Sequence, residues 1–172
     1  MNSVPMREAT MPLMTTNNKD PHGTSYTISV DASNRKATGV SAEERANTAN
    51  VLADPKSNPE SLIRPGHMLP LRAHPAGVLG RAGHTEATVD LLKLAGLNPV
   101  GVIGEMVSED GSMMRLPELV DVGAREGLPV VTIDQIVDYL TTHEISHTVN
   151  PNNRIRLDAV AKLPSIHGNF TL

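Results

Sequence analysis

The apolar positions of this 172-residue chain change period along its length, and each period predicts an element. Residues 25–31, SYTISVD, alternate as a half-buried strand does, and the turn-prone DASNRK follows. In SAEERANTANVLAD (41–54), Ala46, Ala49, Val51 and Leu52 fall roughly on one side of a helix, with Ser41 and Glu44 in capping-box spacing at its start. PKSNPES and IRPGHMLPLRAHPAG are too rich in Pro and Gly for long regular elements, and they read as ordered loops with a short strand near 67–71.

The second half is more regular. TEATVDLLKLAG predicts a helix from residue 85, with Val89, Leu91, Leu92 and Leu94 apolar and Gly96 as its stop. PVGVIGEMV (99–107) reads as a largely apolar, buried strand and SEDG (108–111) as a turn. LPELVDVGAREG (116–127) reads as a helix opened by Pro117, PVVTI (129–133) as another buried strand, and IDQIVDYL (133–140) as a helix capped by Thr132 with Gln135. Strands alternating with helices predict an α/β fold, α+β layered: a mixed sheet, parallel in part, flanked by helices. Residues 1–21 have no period and read as an irregular segment, residues 22–141 as one domain, and residues 142–172 as a linker leading into the first strand of another.

Composition narrows the function. Phe170, Tyr26 and Tyr139 are the only aromatic residues, so there is little stacking surface for bases, and a net charge of −4 gives no general attraction to nucleic acid or anionic membranes. Any phosphate site must be local. The absence of cysteine excludes disulfides, thiolate nucleophiles and cysteine-ligated metals. No apolar run approaches the roughly 18 residues that span a bilayer, and a cytoplasmic protein is expected.

Chemistry concentrates in three places. In RAGHTE (81–86), Gly83 allows close backbone approach, the amides of Thr85 and Glu86 open a helix, and Arg81 adds a fixed planar charge; together they suit a phosphate. His84 stands at the lip, able to bind a metal or exchange a proton. The same residues fit an ordinary strand–turn–helix junction with solvated charges. His67 follows Pro65-Gly66 in a loop, where a lone histidine is usually structural, hydrogen-bonded to a neighbouring carbonyl. Glu105 ends the apolar run at 99–107, where open α/β sheets place ligands, although a paired edge charge fits as well.

Taken in order and spacing, HGTSYTISVDA, TGVSAEERA, RPGHMLPLRA, GVLGRAGHTEATVDLLKLAGLNPVGVIGEM, EDGSMMRLPEL and PVVTIDQIVDYL resemble the 3,4-dihydroxy-2-butanone 4-phosphate synthase family of riboflavin biosynthesis, over about residues 22 to 140. The resemblance implies a homodimeric, magnesium-dependent lyase, with manganese as a substitute metal, that converts ribulose 5-phosphate to 3,4-dihydroxy-2-butanone 4-phosphate and formate. It implies substrate binding by Arg81, Ala82, Gly83, His84, Thr85 and Thr38, metal ligation by His84, and catalysis by His67 and Glu105. It also exposes departures. Residues 1–21 show no counterpart of the family's acidic loop, which supplies further metal and substrate ligands, and Arg7 and Glu8 take no role from it. Gly104 stands where the family has cysteine. AVAKLPSIHGNFTL (159–172) resembles the opening of a GTP cyclohydrolase II-like domain. The expectation is thus an incomplete synthase domain of doubtful activity alone, or a non-catalytic relative that binds phosphosugar or pairs with a full-length synthase.

Overall fold

The computed structural model describes residues 11–143 and the strands at 162–165 and 168–171. The chain is α+β, as the sequence predicts, and it divides into two compact units: Met1–Ala73 with Asn98–Val102, and His74–Leu97 with Ile103–Leu172. Among the described residues no helix is long and apolar enough to cross a membrane.

The first unit is built on β1 (Val30–Ala32) and β2 (Leu62–Met68), paired antiparallel. Asp31 lies opposite Ile63, but Val30 lies opposite Met68. The intervening residues of β2 therefore bulge, and a bulge re-aims the side chains it contains. Gly66 sits where that bulge crosses β1: a Cβ there would overlap the backbone between Val30 and Asp31, so only glycine fits. The helix α1 (Ala42–Ala53) begins at Ser41, whose hydroxyl accepts the Glu44 N–H at 3.2 Å. Its fully buried residue is Thr48; of the predicted face Ala49, Val51 and Leu52 are half-buried and Ala46 is exposed. The Thr48 hydroxyl accepts the Ala32 N–H and donates to the Glu44 carbonyl, both at 3.0 Å, fastening helix to strand beside buried Val30, Ala32 and Leu62. Hydroxyl bonding thus adds to the apolar period in setting the inward face.

The second unit holds α2 (His84–Leu94), α3 (Leu116–Glu126) and α4 (Ile133–Thr142). Val78, Ala87, Ile136 and Leu140 form its buried core, with Leu91, Leu94, Val131 and Val137 packed against it. Each helix start follows the sequence. Thr132 accepts the Gln135 N–H at 3.3 Å while the Gln135 side chain accepts the Thr132 N–H at 2.9 Å. Glu118 similarly accepts the Arg115 N–H at 3.0 Å, next to Pro117. Further on, β3 (Lys162–Ser165) and β4 (Gly168–Thr171) form an antiparallel hairpin in the tail that read as strand-like. The linker at 144–161, like Arg7 and Glu8, lies outside the described residues.

Several strand expectations need correction. The run at 25–31 is strand only from Val30, with isolated bridges from Tyr26 to Leu71 and from Thr27 to Leu13, and the strand expected near 67–71 lies at Leu62–Met68. Residues 99–107 form no strand: Val102, Ile103, Met106 and Val107 are exposed, and the Val107–Met113 bridge closes a hairpin around the predicted turn. Nor do residues 129–133, because the Thr132 cap draws Ile133 into α4 and leaves too short a run to pair. Both strand pairs described are antiparallel, so the parallel pairing expected from alternation is not found among the described residues.

Candidate active site

In the first unit, Asp31 is fully buried and works as a fastening point. Its Oδ1 accepts the backbone N–H of His67 at 2.8 Å; its Oδ2 meets the His67 Nδ1 at 2.8 Å and Arg35 Nη1 at 2.6 Å. Burial pushes the carboxyl up, but the His67 backbone bond, the His67 ring and the neighbouring positive charges outweigh it and hold Asp31 below the ordinary carboxylate range. An ionised carboxylate only accepts, so Nδ1 carries a proton and Nε2 is the ring nitrogen that Asp31 does not engage. The His67 side chain is 45% exposed, which leaves the ring open to a ligand.

The next loop is clamped from below. Glu44 accepts the Ala37 N–H at 2.7 Å and the Gly39 N–H at 2.9 Å, one on either side of Thr38, and these amides hold its carboxyl below the usual range. Thr38 itself is exposed, and an open depression of about 450 Å³ lies over it, lined by Arg35, Lys36, Thr38, Ser41, Glu43 and Asn47.

The second unit uses buried carboxylates in the same manner. Glu86, expected to offer its amide at an open helix start, is sealed from water; its carboxylate holds Arg81 Nη1 at 2.6 Å and the His74 N–H at 2.9 Å. Asp90, one turn on and equally buried, accepts the Val78 N–H at 2.8 Å and reaches Lys93 Nζ at 3.4 Å. The apolar stripe predicted for α2 is therefore interrupted on its inner side by two acids. Gly83 caps α2 without a side-chain bond, so the backbone amides that follow it have no side-chain cap at the positive end of the helix dipole. The space beside Gly83 is filled by the Arg81–Glu86 pair, which a Cβ would strike. Close approach here serves the chain's own ion pair. Ala82 and His84 are exposed and Thr85 half-buried.

The structure thus groups His67 near the Thr38 loop in one unit, and Arg81, Ala82, Gly83, His84 and Thr85 around one helix start in the other. Glu105 belongs to the second unit, exposed in an extended segment and not at a strand end. Sequence reading missed Asp31 and Arg35, and took Glu44 only as a cap. The available signal was an acid ending a β-rich run, since such an acid is buried only with partners.

A divalent metal would need several oxygen ligands in near-octahedral array. Among the described residues, no three His, Asp or Glu side chains come together, so the donors here do not make a magnesium site around His84.

Comparison with known proteins gives this arrangement a lineage. Residues 1–139 match the profile of the 3,4-dihydroxy-2-butanone 4-phosphate synthase family. The riboflavin biosynthesis protein RibBA of Salinispora arenicola is 46% identical over 160 residues, covering 93% of this chain and 36% of that protein. A 3,4-dihydroxy-2-butanone 4-phosphate synthase of Vibrio cholerae is 47% identical over 129 residues, covering 75% of this chain and 59% of that protein. A crystal structure of such a synthase in complex with two magnesium ions superposes with a TM-score of 0.73 at 41% identity, covering 81% of this chain and 71% of that one. The chain spans between about a third and three fifths of the length of these two curated relatives.

Proposed function

The chain belongs to the 3,4-dihydroxy-2-butanone 4-phosphate synthase family, and we propose from that premise that it takes part in riboflavin biosynthesis as a lyase. The reaction it is proposed to serve converts D-ribulose 5-phosphate to L-3,4-dihydroxy-2-butanone 4-phosphate and formate. The observation that carries this reading is the mounting of His67: an exposed imidazole whose Nδ1 is fixed on a buried carboxylate. That arrangement makes Nε2 a directed base, suited to removing the proton beside a ketone, and the Asp31 charge stabilises the imidazolium that forms.

The remaining roles follow from each group's surroundings. Glu105, exposed and hydrogen-bonding to no described group, is the second proton carrier, returning protons as the skeleton rearranges and one carbon leaves as formate. The uncapped amides at the start of α2, with Arg81 beside them, hold the unreactive phosphate, and Thr38 contacts the sugar. A synthase relative holds two magnesium ions, and magnesium, replaceable by manganese, is the metal proposed for this chain. His84 would supply one nitrogen toward it, and the described residues bring no group of three donors together around it. Two copies of the chain pair, and the phosphorylated substrate is met in the cytoplasm. The synthase-like domain is proposed at residues 22–141, within a family match that runs over residues 1–139, and a cyclohydrolase-like start is proposed within 142–172.

The test is formate release from ribulose 5-phosphate with magnesium present, together with calorimetric binding of the sugar phosphate. Little or no turnover is expected from the chain alone, rising when a peptide carrying the family's acidic-loop segment is supplied and lost again with His67→Ala or Glu105→Ala. Arg81→Ala should weaken sugar-phosphate binding at least about tenfold, the scale of one charge-assisted contact. Unchanged affinity in Arg81→Ala would move the phosphate site elsewhere.

A further inference from the structure

We propose that Arg35 is a positioning residue that couples the Thr38 loop to the Asp31–His67 pair. The geometry lies in one nitrogen: Arg35 Nη1 meets the buried Asp31 Oδ2 at 2.6 Å and donates to the Thr38 carbonyl at 3.0 Å. His67 Nδ1 is on that same Asp31 oxygen, so imidazole and guanidinium share one acceptor. Thr38 is then held on three sides, by Arg35 at its carbonyl and by Glu44 at the amides of Ala37 and Gly39. Gly39 completes the coupling. Its backbone lies at φ +88° against the Asp31 carboxylate, where a side chain would collide.

Two consequences follow, one mechanical and one electrostatic. A shift of the guanidinium moves the Thr38 loop and the anchor of His67 together, so the group proposed to touch sugar and the group proposed to take its proton are registered on one part. The Arg35 charge never titrates, and it opposes a second positive charge on the neighbouring ring. The other charged groups facing this cluster are Asp31 from β1 and Glu44 from α1, both anionic. Arg35 is thus the cation that offsets them beside the His67 ring.

The inference rests on the proposed lyase reading for its purpose but not for its test, which reads the protein without substrate. In Arg35→Met, nuclear magnetic resonance should show the His67 ring titrating at higher pH than in the wild type, and hydrogen exchange at Ala37 and Gly39 should quicken about tenfold or more. Arg35→Gln keeps a donor for the Thr38 carbonyl but removes the charge, so the ring should shift with the loop largely held. Arg35→Lys should restore the titration. The side chain is 29% exposed, so these variants should fold, and a native circular-dichroism spectrum checks that; should Met unfold the unit, the Gln and Lys variants decide. Unchanged His67 titration and unchanged exchange in folded Arg35→Met and Arg35→Gln would overturn the proposal. If the wild type neither binds ribulose 5-phosphate nor releases formate while the titration still follows Arg35, the coupling stands and the lyase reading falls.

Discussion

Asp31 in the first unit and Glu86 in the second are carboxylates sealed from water, and each holds one backbone N–H and a side-chain cation. The cation differs. Asp31 faces an imidazole, which can give up its charge, and shares it with a guanidinium; Glu86 faces Arg81, which cannot be neutralised in a protein. One device therefore mounts a group that can move protons, and the same device elsewhere fixes a permanent positive charge at a helix start. Burying an anion is costly unless it is fully paired, so in each unit the fold and the displayed cation depend on one another.

The largest expected effect tests that dependence directly. Asp31→Asn and Glu86→Gln each weaken charge-assisted bonds to cations that stay partly solvated, so each should cost at least about 1.5–3 kcal/mol at neutral pH, read by amide exchange in its own unit. Acid separates them. The folded Asp31 carboxyl lies below its unfolded value, so its contribution is present above about pH 4 and is lost as pH falls through the lower folded value. The gap between wild type and Asp31→Asn should narrow as the pH drops below about 4. A gap constant with pH would mean that Asp31 is held by shape and not by charge. Glu44, Asp20 and Asp110 are also depressed and shape the overall acid limb, which is why the difference between the two proteins is the quantity to follow.

How much of this was legible beforehand depends on the range of the interaction. Helix starts were readable, because Ser41, Pro117 and Thr132–Gln135 act within one turn of themselves. The helix start at Gly83–His84 was readable for the same reason. The apolar runs at 99–107 and 129–133 were misread as buried strands, since a strand needs a partner and a local pattern does not say whether one is present. Asp31 reaches His67 across the β1–β2 bulge, a register fixed by tertiary pairing. Glu86 drew notice only for its helix-start amide and Asp90 not at all; their burial follows from the loop amides at His74 and Val78 that fold back onto them.

A middle-sized effect extends the comparison from cations to glycines. Gly39 in the first unit and Gly77 in the second both adopt positive φ, +88° and +59°, with the would-be Cβ directed into a buried carboxylate, Asp31 and Asp90 respectively. Alanine at either position should destabilise by about 1–3 kcal/mol, combining backbone strain with displacement of the acid. Gly39→Ala should also disturb the His67 resonances, whereas Gly77→Ala should leave them alone. Urea unfolding followed by nuclear magnetic resonance reads both. Equal disturbance of His67 by the two would show that the carboxylate devices are not independent.

The smallest effect marks where the shared device stops. Lys93 lies 3.4 Å from Asp90, three residues apart on α2, and its side chain is 33% exposed. Asp90 is already bonded to the Val78 N–H at 2.8 Å, and the lysine adds a flexible, solvated charge at the longer distance. Pairs of this kind contribute little, because solvent screens them and holding the long side chain costs entropy. Lys93→Ala should therefore change stability by less than about 0.5 kcal/mol, and 0.5 M salt should remove most of what remains. Arg35 differs on every count: it meets its acid at 2.6 Å and bonds a backbone carbonyl with the same nitrogen. Measured side by side in urea at low and high salt, Arg35→Met should lose the more stability and retain the loss in salt. A salt-sensitive loss of equal size in both variants would reduce Arg35 to another surface charge, and the distinction between fastening and decoration would disappear.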